Sequence, residues 1–152
     1  MSIMNILLIG CKEASNSSKV VLDLIPPTYH VDKLYIEEYS KSLNQIEEQY
    51  GHKEYDTIFI LINALHEEHE IIKIKGKWFF DYMKKNCYVD GTIEEENKRF
   101  AGEELEEYKE CIKKMEEKSN LIFIEIPKLS GSRAIELANL IAKYCKDRIK
   151  GK

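Results

Sequence analysis

The segment between the first apolar run and the first helical pattern is the part of the sequence richest in groups that could hold a ligand. Four hydroxyl or amide side chains stand in a row there, and a lysine follows them: Ser15, Asn16, Ser17, Ser18 and Lys19. Together with the free N–H groups of a helix start, these side chains are donors suited to a phosphate group. The same residue types also cap helices without binding anything. The segment therefore predicts either a phosphate-binding bend or a simple helix cap.

Cys11 opens this bend, directly after the apolar run that ends in Gly10. A helix N-terminus and nearby lysines favour the thiolate form of a cysteine, and Lys12 and Lys19 are close in sequence. Cys11 is therefore a candidate catalytic nucleophile for acyl or thioester chemistry. The bend is not a C-x5-R phosphatase loop, because position 17 is serine. The alternative is that Cys11 is a small buried hydrophobic residue, as free cysteines often are.

A histidine and glutamate cluster at 66–70 follows the strongest strand signal in the chain. His66 is the candidate acid–base partner, since histidine titrates near neutral pH. His66 and His69 have the i, i+3 spacing of a metal pair, but the segment is not HExxH and no third ligand can be identified. We therefore predict no metal site, and the alternative for the whole cluster is an ordinary polar loop.

A third polar bend precedes the last helical pattern and contains Ser130, Ser132 and Arg133. The two hydroxyls and the guanidinium are suited to a phosphate or carboxylate, which arginine can hold at two points. The alternative is a solvated helix cap. With the bends after Cys11 and around His66, it completes a predicted ligand site.

Strand and helix signals alternate along the chain. Continuous or alternating apolar residues predict strands at 4–9, 30–36, 55–62 and 121–126, and a fifth short strand at 86–89. Helical spacing predicts helices before Pro26, at 42–50, 77–85 and 92–118, and after 130. Parallel neighbours need crossovers, which helices supply. The pattern predicts one domain over 1–152 with an α/β fold, a three-layer sandwich around a mostly parallel sheet of four or five strands. In such sheets ligands bind beyond the carboxyl ends of the strands.

Two segments resemble the flavodoxin-like NADPH-dependent FMN reductases. The loop from Gly10 to Ser18 is similar to the flavin-phosphate loop of that family, and Lys77 to Met83 is similar to the segment that opens the helix after its third strand. The resemblance implies a flavodoxin-like sheet, FMN as cofactor and flavin-dependent oxidoreductase activity.

Cys11 carries a second resemblance. A cysteine just after the first strand is similar to the thioester-forming protein of iron-guanylylpyridinol cofactor assembly in methanogens. The resemblance implies a cysteine enzyme of cofactor biosynthesis, and the Ile-, Lys- and Glu-rich, thermophile-like composition suits such an organism.

Composition and net charge limit the classes of binding partner that we expect. A net charge of −4 provides no basic field for nucleic acid or anionic lipid, and a mean hydropathy of −0.43 excludes an integral membrane protein. Without a leader pattern or CxxC pair, a cytoplasmic protein with reduced thiols is expected. We expect a small nucleotide-like ligand and allow a homo-oligomer.

Three functions follow from these observations. The first is binding of a phosphate-bearing nucleotide-type cofactor or substrate among the three bends, with a flavin-dependent oxidoreductase as its enzymatic form. The second is a covalent enzyme that uses Cys11. The third is a non-catalytic binding or assembly protein.

Overall fold

The computed structural model describes residues 4–13, 15–37, 46, 48–49, 53–63, 71–86, 93–95 and 112–150. The strands within these ranges are β1 (Ile6–Cys11), β2 (Val31–Ile36), β3 (Thr57–Asn63), β4 (Ile72–Lys75), β5 (Ile93–Glu95) and β6 (Asn120–Ile126). The helices are α1 (Ser17–Leu24), α2 (Lys77–Lys85) and α3 (Gly131–Lys150). A further helical turn covers 112–116.

The described strands form one sheet of six in the order β2-β1-β3-β6-β4-β5. The first four run parallel, with Ile6 aligned to both Val31 and Thr57. The continuous apolar runs of β1, β3 and β6 occupy adjacent central positions, as expected for strands buried on both faces. β4 pairs antiparallel with β6, and β5 pairs parallel with β4.

Hydrophobic residues on the two faces of the sheet form two separate cores. Ile6 and Leu8 of β1 face α1, α2 and α3, whereas Leu7 and Ile9 face the opposite layer. That opposite layer contains Ile46 and the helical turn at 112–116. Alternate strand residues point to opposite faces, so one short strand contributes to both cores. The three-layer α/β arrangement with a mostly parallel sheet is confirmed.

The strand count and two element assignments differ from expectation. The described residues contain six strands rather than four or five, because Ile72 and Ile74 of the short segment 72–75 are fully buried against β6. Residues 93–95 form a strand, so the helix predicted over 92–118 is wrong there, while 112–116 is helical. The strand predicted at 86–89 and most of the helix predicted at 42–50 lie outside the described residues.

The helices are close to their predicted positions. α1 ends at Leu24, because Pro26 and Pro27 prevent the helix from continuing. α2 has the predicted bounds, and α3 packs Ala138, Ile141 and Tyr144 inward. The phenyl ring of Phe59 meets the ring of Phe79 edge-on at 5.1 Å, which joins β3 to α2. Ile135, near the start of α3, is 49% exposed. Within the described residues no helix is both long enough and apolar enough to cross a bilayer.

Candidate functional site at the carboxyl edge of the sheet

The carboxyl ends of β1, β3 and β6 lie next to one another at one edge of the sheet. They end at Cys11, Asn63 and Ile126 respectively. From β1 the chain continues through α1 to β2 on one side, whereas β3 lies on the other side. The strand order therefore reverses between β1 and β3. Open parallel sheets bind ligands at such a reversal of strand order.

The bend after β1 is organised around Asn16 and Ser18. Asn16 caps α1, and its Oδ1 accepts hydrogen bonds from the Ser18 N–H at 2.9 Å and the Ser18 hydroxyl at 2.6 Å. The Ser18 Oγ in turn accepts from the Cys11 N–H at 3.0 Å. Ser18 is fully buried, whereas its partners Cys11 and Asn16 are half-buried. The bend thereby fixes the end of β1 to the start of α1.

The N–H groups at the start of α1 already have partners in the protein. The Ser17 N–H donates to Asn63 Oδ1 at 3.1 Å, and the Ser18 N–H donates to Asn16 Oδ1 at 2.9 Å. The Lys19 and Val20 N–H groups both donate to the Asn16 carbonyl, at 3.1 Å and 3.3 Å. The Val20 bond is the first i→i−4 bond of the helix, and the Asn16 N–H donates to the Glu13 carbonyl at 3.0 Å. The four N–H groups that a helix start leaves open, those of Asn16 to Lys19, therefore all have partners. The helix cap predicted at this bend is therefore present, with Asn16 as the capping residue.

Lys19 is also engaged within the protein. Its ammonium contacts the Asp23 carboxylate at 2.6 Å, one turn further along α1. The role of Ser15 to Lys19 in phosphate binding remains a prediction. In this arrangement a phosphate would have to displace bonds that the bend already makes.

Cys11 lies on the opposite face of the sheet from α1. A Cβ added at Gly10 would lie 2.8 Å from Leu22 Cδ2, so Gly10 faces α1. The next strand residue faces the other way, which places the Cys11 side chain with Leu7 and Ile9. The Cys11 residue is partly exposed.

Cys145 provides a contrast within the same chain. It is buried in the core beside α2, and this burial raises the pKa of its thiol to about 12. A thiol with so high a pKa is almost entirely protonated at neutral pH and is a poor nucleophile. Cys87 and Cys111 lie outside the described residues. Of the two described cysteines, Cys11 is the one accessible to a reagent.

The third bend lies at the start of α3, at the same edge of the sheet. The hydroxyls of Ser130 and Ser132 are 3.4 Å apart, and the Arg133 N–H donates to Ser130 Oγ at 3.4 Å. Ser130 and Ser132 are exposed, and Arg133 is half-buried. These contacts form a loose helix cap, and the predicted binding role of the three residues remains untested.

A cleft of about 350 Å³ separates the start of α1 from the start of α3. Its lining consists of Ser15, Ser17, Val20, Val21, Ile126, Pro127, Lys128, Leu129 and Ala134. The first and third bends therefore lie on one cleft, although the third contributes 127–129 rather than Ser130, Ser132 or Arg133. His66 lies outside the described residues, so its place at this edge rests on sequence position. Within the described part of the chain, no group of three or more metal-ligating side chains occurs.

Sequence reasoning did not single out Asn63, nor the lining residues 127–129. Asn63 is the last residue of β3, and residues 127–129 directly follow Ile126, the last residue of β6. Their position at a strand end was the available signal. They were overlooked because an amide, a proline and a leucine form no recognised binding motif.

The geometry defines an α/β three-layer sandwich in which the two described polar bends, after β1 and after β6, lie at one sheet edge. No family model and no curated protein matches the sequence. Among solved structures, the crystal structure of pyrrolidone carboxyl peptidase from Thermus thermophilus is similar, with a TM-score of 0.59 and 12% identity. The match covers 91% of this chain and 95% of that chain. At this identity the likeness concerns the fold alone.

The predicted resemblance to flavodoxin-like FMN reductases is wrong. The structural neighbour is a peptidase rather than a flavin reductase. The sheet also departs from the all-parallel flavodoxin order, because antiparallel β4 lies between β6 and β5. Asn16 of this bend caps α1, and serine and asparagine are common at helix starts in unrelated folds, which accounts for the similarity of the loop sequence. FMN as a cofactor and a role in iron-guanylylpyridinol assembly remain predictions that no observation here tests.

Proposed function

We propose that the protein is an enzyme that uses Cys11 as a covalent nucleophile on the acyl carbon of a small substrate. The observation that carries this proposal is a partly exposed cysteine residue at the carboxyl end of β1, beside the point where the strand order reverses between β1 and β3. Catalytic groups and ligands concentrate at that position in parallel α/β folds. The second described cysteine, Cys145, is buried and has a raised pKa, so it is unsuited to the role.

The backbone of Cys11 is fixed by hydrogen bonds. The Cys11 N–H donates to the buried Ser18 Oγ, and the β1 strand is paired on both sides along Ile6 to Ile9. A nucleophile on a rigid strand end is held in a constant position relative to its substrate, which is how orientation contributes to rate. The bend therefore positions the backbone of Cys11.

The proposed reaction begins with attack by the Cys11 thiolate sulfur on the carbonyl carbon of an amide or thioester. A carbon–sulfur bond forms, and the bond to the leaving nitrogen or sulfur breaks with its electron pair on the leaving group, which then takes a proton. Water or a second acceptor attacks the acyl-enzyme and releases the thiol. His66, three residues beyond Asn63 in the sequence, is the proposed proton donor and acceptor.

The fold likeness supports this class of chemistry without assigning its residues. The neighbour is named as a peptidase, and peptide cleavage is acyl transfer to water. Its similarity extends over nearly all of this chain, so the same architecture is compatible with such chemistry. The choice of Cys11 rests on the geometry of this chain.

The test is to incubate the full chain with a panel of small acyl thioesters and amino-acid anilides, and to locate adducts by intact mass and peptide mapping. We expect an acyl adduct on Cys11 and turnover of at least one substrate, with both lost in Cys11→Ser. Cys145→Ala is the matched control and should retain both. Turnover that survives Cys11→Ser, or an adduct that maps only to another cysteine, would contradict the proposal.

Native mass spectrometry of freshly purified protein provides an independent check on the alternatives. It records bound ligand and assembly state in one measurement. A bound flavin would favour the oxidoreductase interpretation over the thiol enzyme. A protein without ligand and without acyl adducts on any tested substrate would favour the non-catalytic binding role.

A further inference from the structure

The cleft between α1 and α3 is a second feature of the carboxyl edge that the proposed chemistry of Cys11 does not use. Its lining faces the core that contains Val21 and Ile126. Cys11 belongs to the other face, because Gly10, its neighbour in β1, is the residue that faces α1. The sheet itself therefore lies between the thiol and the cleft.

Part of the cleft lining is aliphatic. Val20 of α1 and Leu129 of the loop after β6 are exposed or half-buried, whereas Val21 and Ile126 are buried. Val20 is 45% exposed although it is fully aliphatic. The cleft has a volume of about 350 Å³, near the lower end of the range for small-molecule sites. A short hydrocarbon chain would cover apolar surface that is now in contact with water.

The charge at the cleft has one sign. Among the described lining residues, Lys128 carries the single formal charge, and no carboxylate contributes. Lys128 is exposed, so its ammonium is available at the rim. Ser15 and Ser17 add hydroxyl groups on the α1 side. The combination of a partly aliphatic lining with a cationic and hydroxylic rim complements a molecule with an apolar chain and an anionic end.

We propose that this cleft binds a small aliphatic carboxylate. The hydrocarbon chain packs against Val20 and Leu129, and the carboxylate lies toward Lys128 and the Ser17 hydroxyl. The site is separate from Cys11, so the proposal does not depend on the thiol chemistry. It also differs from a phosphate site on the bend, since the N–H groups at the start of α1 are already bonded.

The test measures binding of pentanoate, pentan-1-ol and pentan-1-amine to the full chain by saturation-transfer NMR and titration. We expect pentanoate to bind about fivefold or more tightly than the alcohol, and the amine to bind most weakly, in keeping with a charge-assisted contact. Lys128→Gln should remove the preference for pentanoate. Lys146→Gln, on an exposed part of α3 outside the lining, should leave it unchanged.

A second pair of variants tests the position. Val20→Trp fills the cleft and should weaken pentanoate binding at least tenfold, whereas Leu24→Trp, one turn further along α1 and 40% exposed, should not. Cys11→Ala should bind pentanoate as the wild type does. Equal binding of the three ligands, undetectable pentanoate binding, or full binding by Val20→Trp would each overturn the proposal.

Discussion

The two ends of the same strands differ in how their polar side chains are used. At the amino end of β3, Arg148 Nε donates to Asp56 Oδ2 at 2.7 Å and to Thr57 Oγ1 at 3.0 Å, and both charged side chains are less than one-third exposed. The Arg148 guanidinium also lies over the Trp78 ring, 5.3 Å from its centroid. At the carboxyl end, the Lys12–Glu37 pair is 3.4 Å apart and largely exposed.

This difference indicates that the polar groups at the amino end stabilise the fold, whereas the candidate functional features lie at the carboxyl end. Partly buried, multiply bonded charges hold α3 to the sheet at the amino end. The carboxyl end contains Cys11 and the cleft, and its polar groups mostly fix the backbone of one bend. We therefore expect substitutions at the amino end to change stability alone. Substitutions at the carboxyl end should change reactivity or binding as well.

The largest effect is expected at the amino end. Asp56→Ala removes the carboxylate partner of Arg148 and leaves a partly buried cation, which should lower the free energy of unfolding by about 2–3 kcal/mol. Urea denaturation measures this change, and iodoacetamide labelling of Cys11 in the folded protein should remain at the wild-type rate. Lys12→Ala, the control at the carboxyl end, should cost less than about 0.5 kcal/mol. Equal costs for the two variants would show that the ends do not differ as argued.

A smaller but double effect is expected for Ser18→Ala. The substitution leaves the Cys11 N–H and Asn16 without their buried partner, so the free energy of unfolding should fall by about 1–2 kcal/mol. Because the end of β1 is then held less firmly, the alkylation rate of Cys11 should rise severalfold. Ser132→Ala, at an exposed hydroxyl of the third bend, should change neither quantity. A loss of stability with unaltered alkylation would mean that the bend does not position Cys11.

The central part of the fold was predictable because its signals are long. β3 and β6 are near-continuous apolar runs and lie close to the predicted ranges 55–62 and 121–126. Their parallel pairing is visible only in the structure. The apolar spacing of Trp78, Phe79 and Met83 likewise gave the bounds of α2. A strand buried on both faces needs a continuous apolar run, so such strands can be predicted from the sequence without knowledge of their tertiary contacts.

The margins of the sheet were not predictable in the same way. β4 is only four residues long and alternates isoleucine with lysine. This short pattern forms a strand because it pairs with β6, where Lys73 lies opposite Glu125 and Ile74 lies opposite Ile124. The antiparallel direction of β4 depends on the same tertiary pairing. The flavodoxin resemblance failed for this reason, since it was based on local motifs in the first half of the chain.

The candidate site was predictable in part. That the bend after β1 lies at a ligand-binding edge follows from strand order, and the cap at Asn16 follows from residue type. The separation of Cys11 from the cleft depends on which face of β1 each residue occupies. Asn63, which bonds the start of α1, is far from Ser17 in sequence and becomes its neighbour only through the pairing of β1 with β3.

The smallest expected effect is a pH dependence at the amino end, where Asp32 joins β2 to Lys53 and Tyr55. Burial alone would raise the pKa of Asp32, but hydrogen bonds at 2.8 Å from the Lys53 ammonium and the Tyr55 hydroxyl outweigh it and lower that pKa below 3.8. A carboxyl with a lowered folded-state pKa stabilises the protein above its unfolded-state pKa, and this stabilisation is lost as the pH falls through the folded value. Asp32→Asn should therefore reduce the acid-induced loss of stability in urea titrations, by less than about 1 kcal/mol because the pair is partly solvated.

Asp81→Asn, at an exposed carboxyl of α2, is the matched control for this prediction and should leave the acid dependence unchanged. Asp23 also has a lowered pKa, through hydrogen bonds from Lys19 and Tyr35, so the wild-type curve contains its contribution and only the difference between variants isolates Asp32. If Asp32→Asn and Asp81→Asn give the same acid dependence, the bonds from Lys53 and Tyr55 do not stabilise the amino end, and the contrast between the two ends would rest on Arg148 and Asp56 alone.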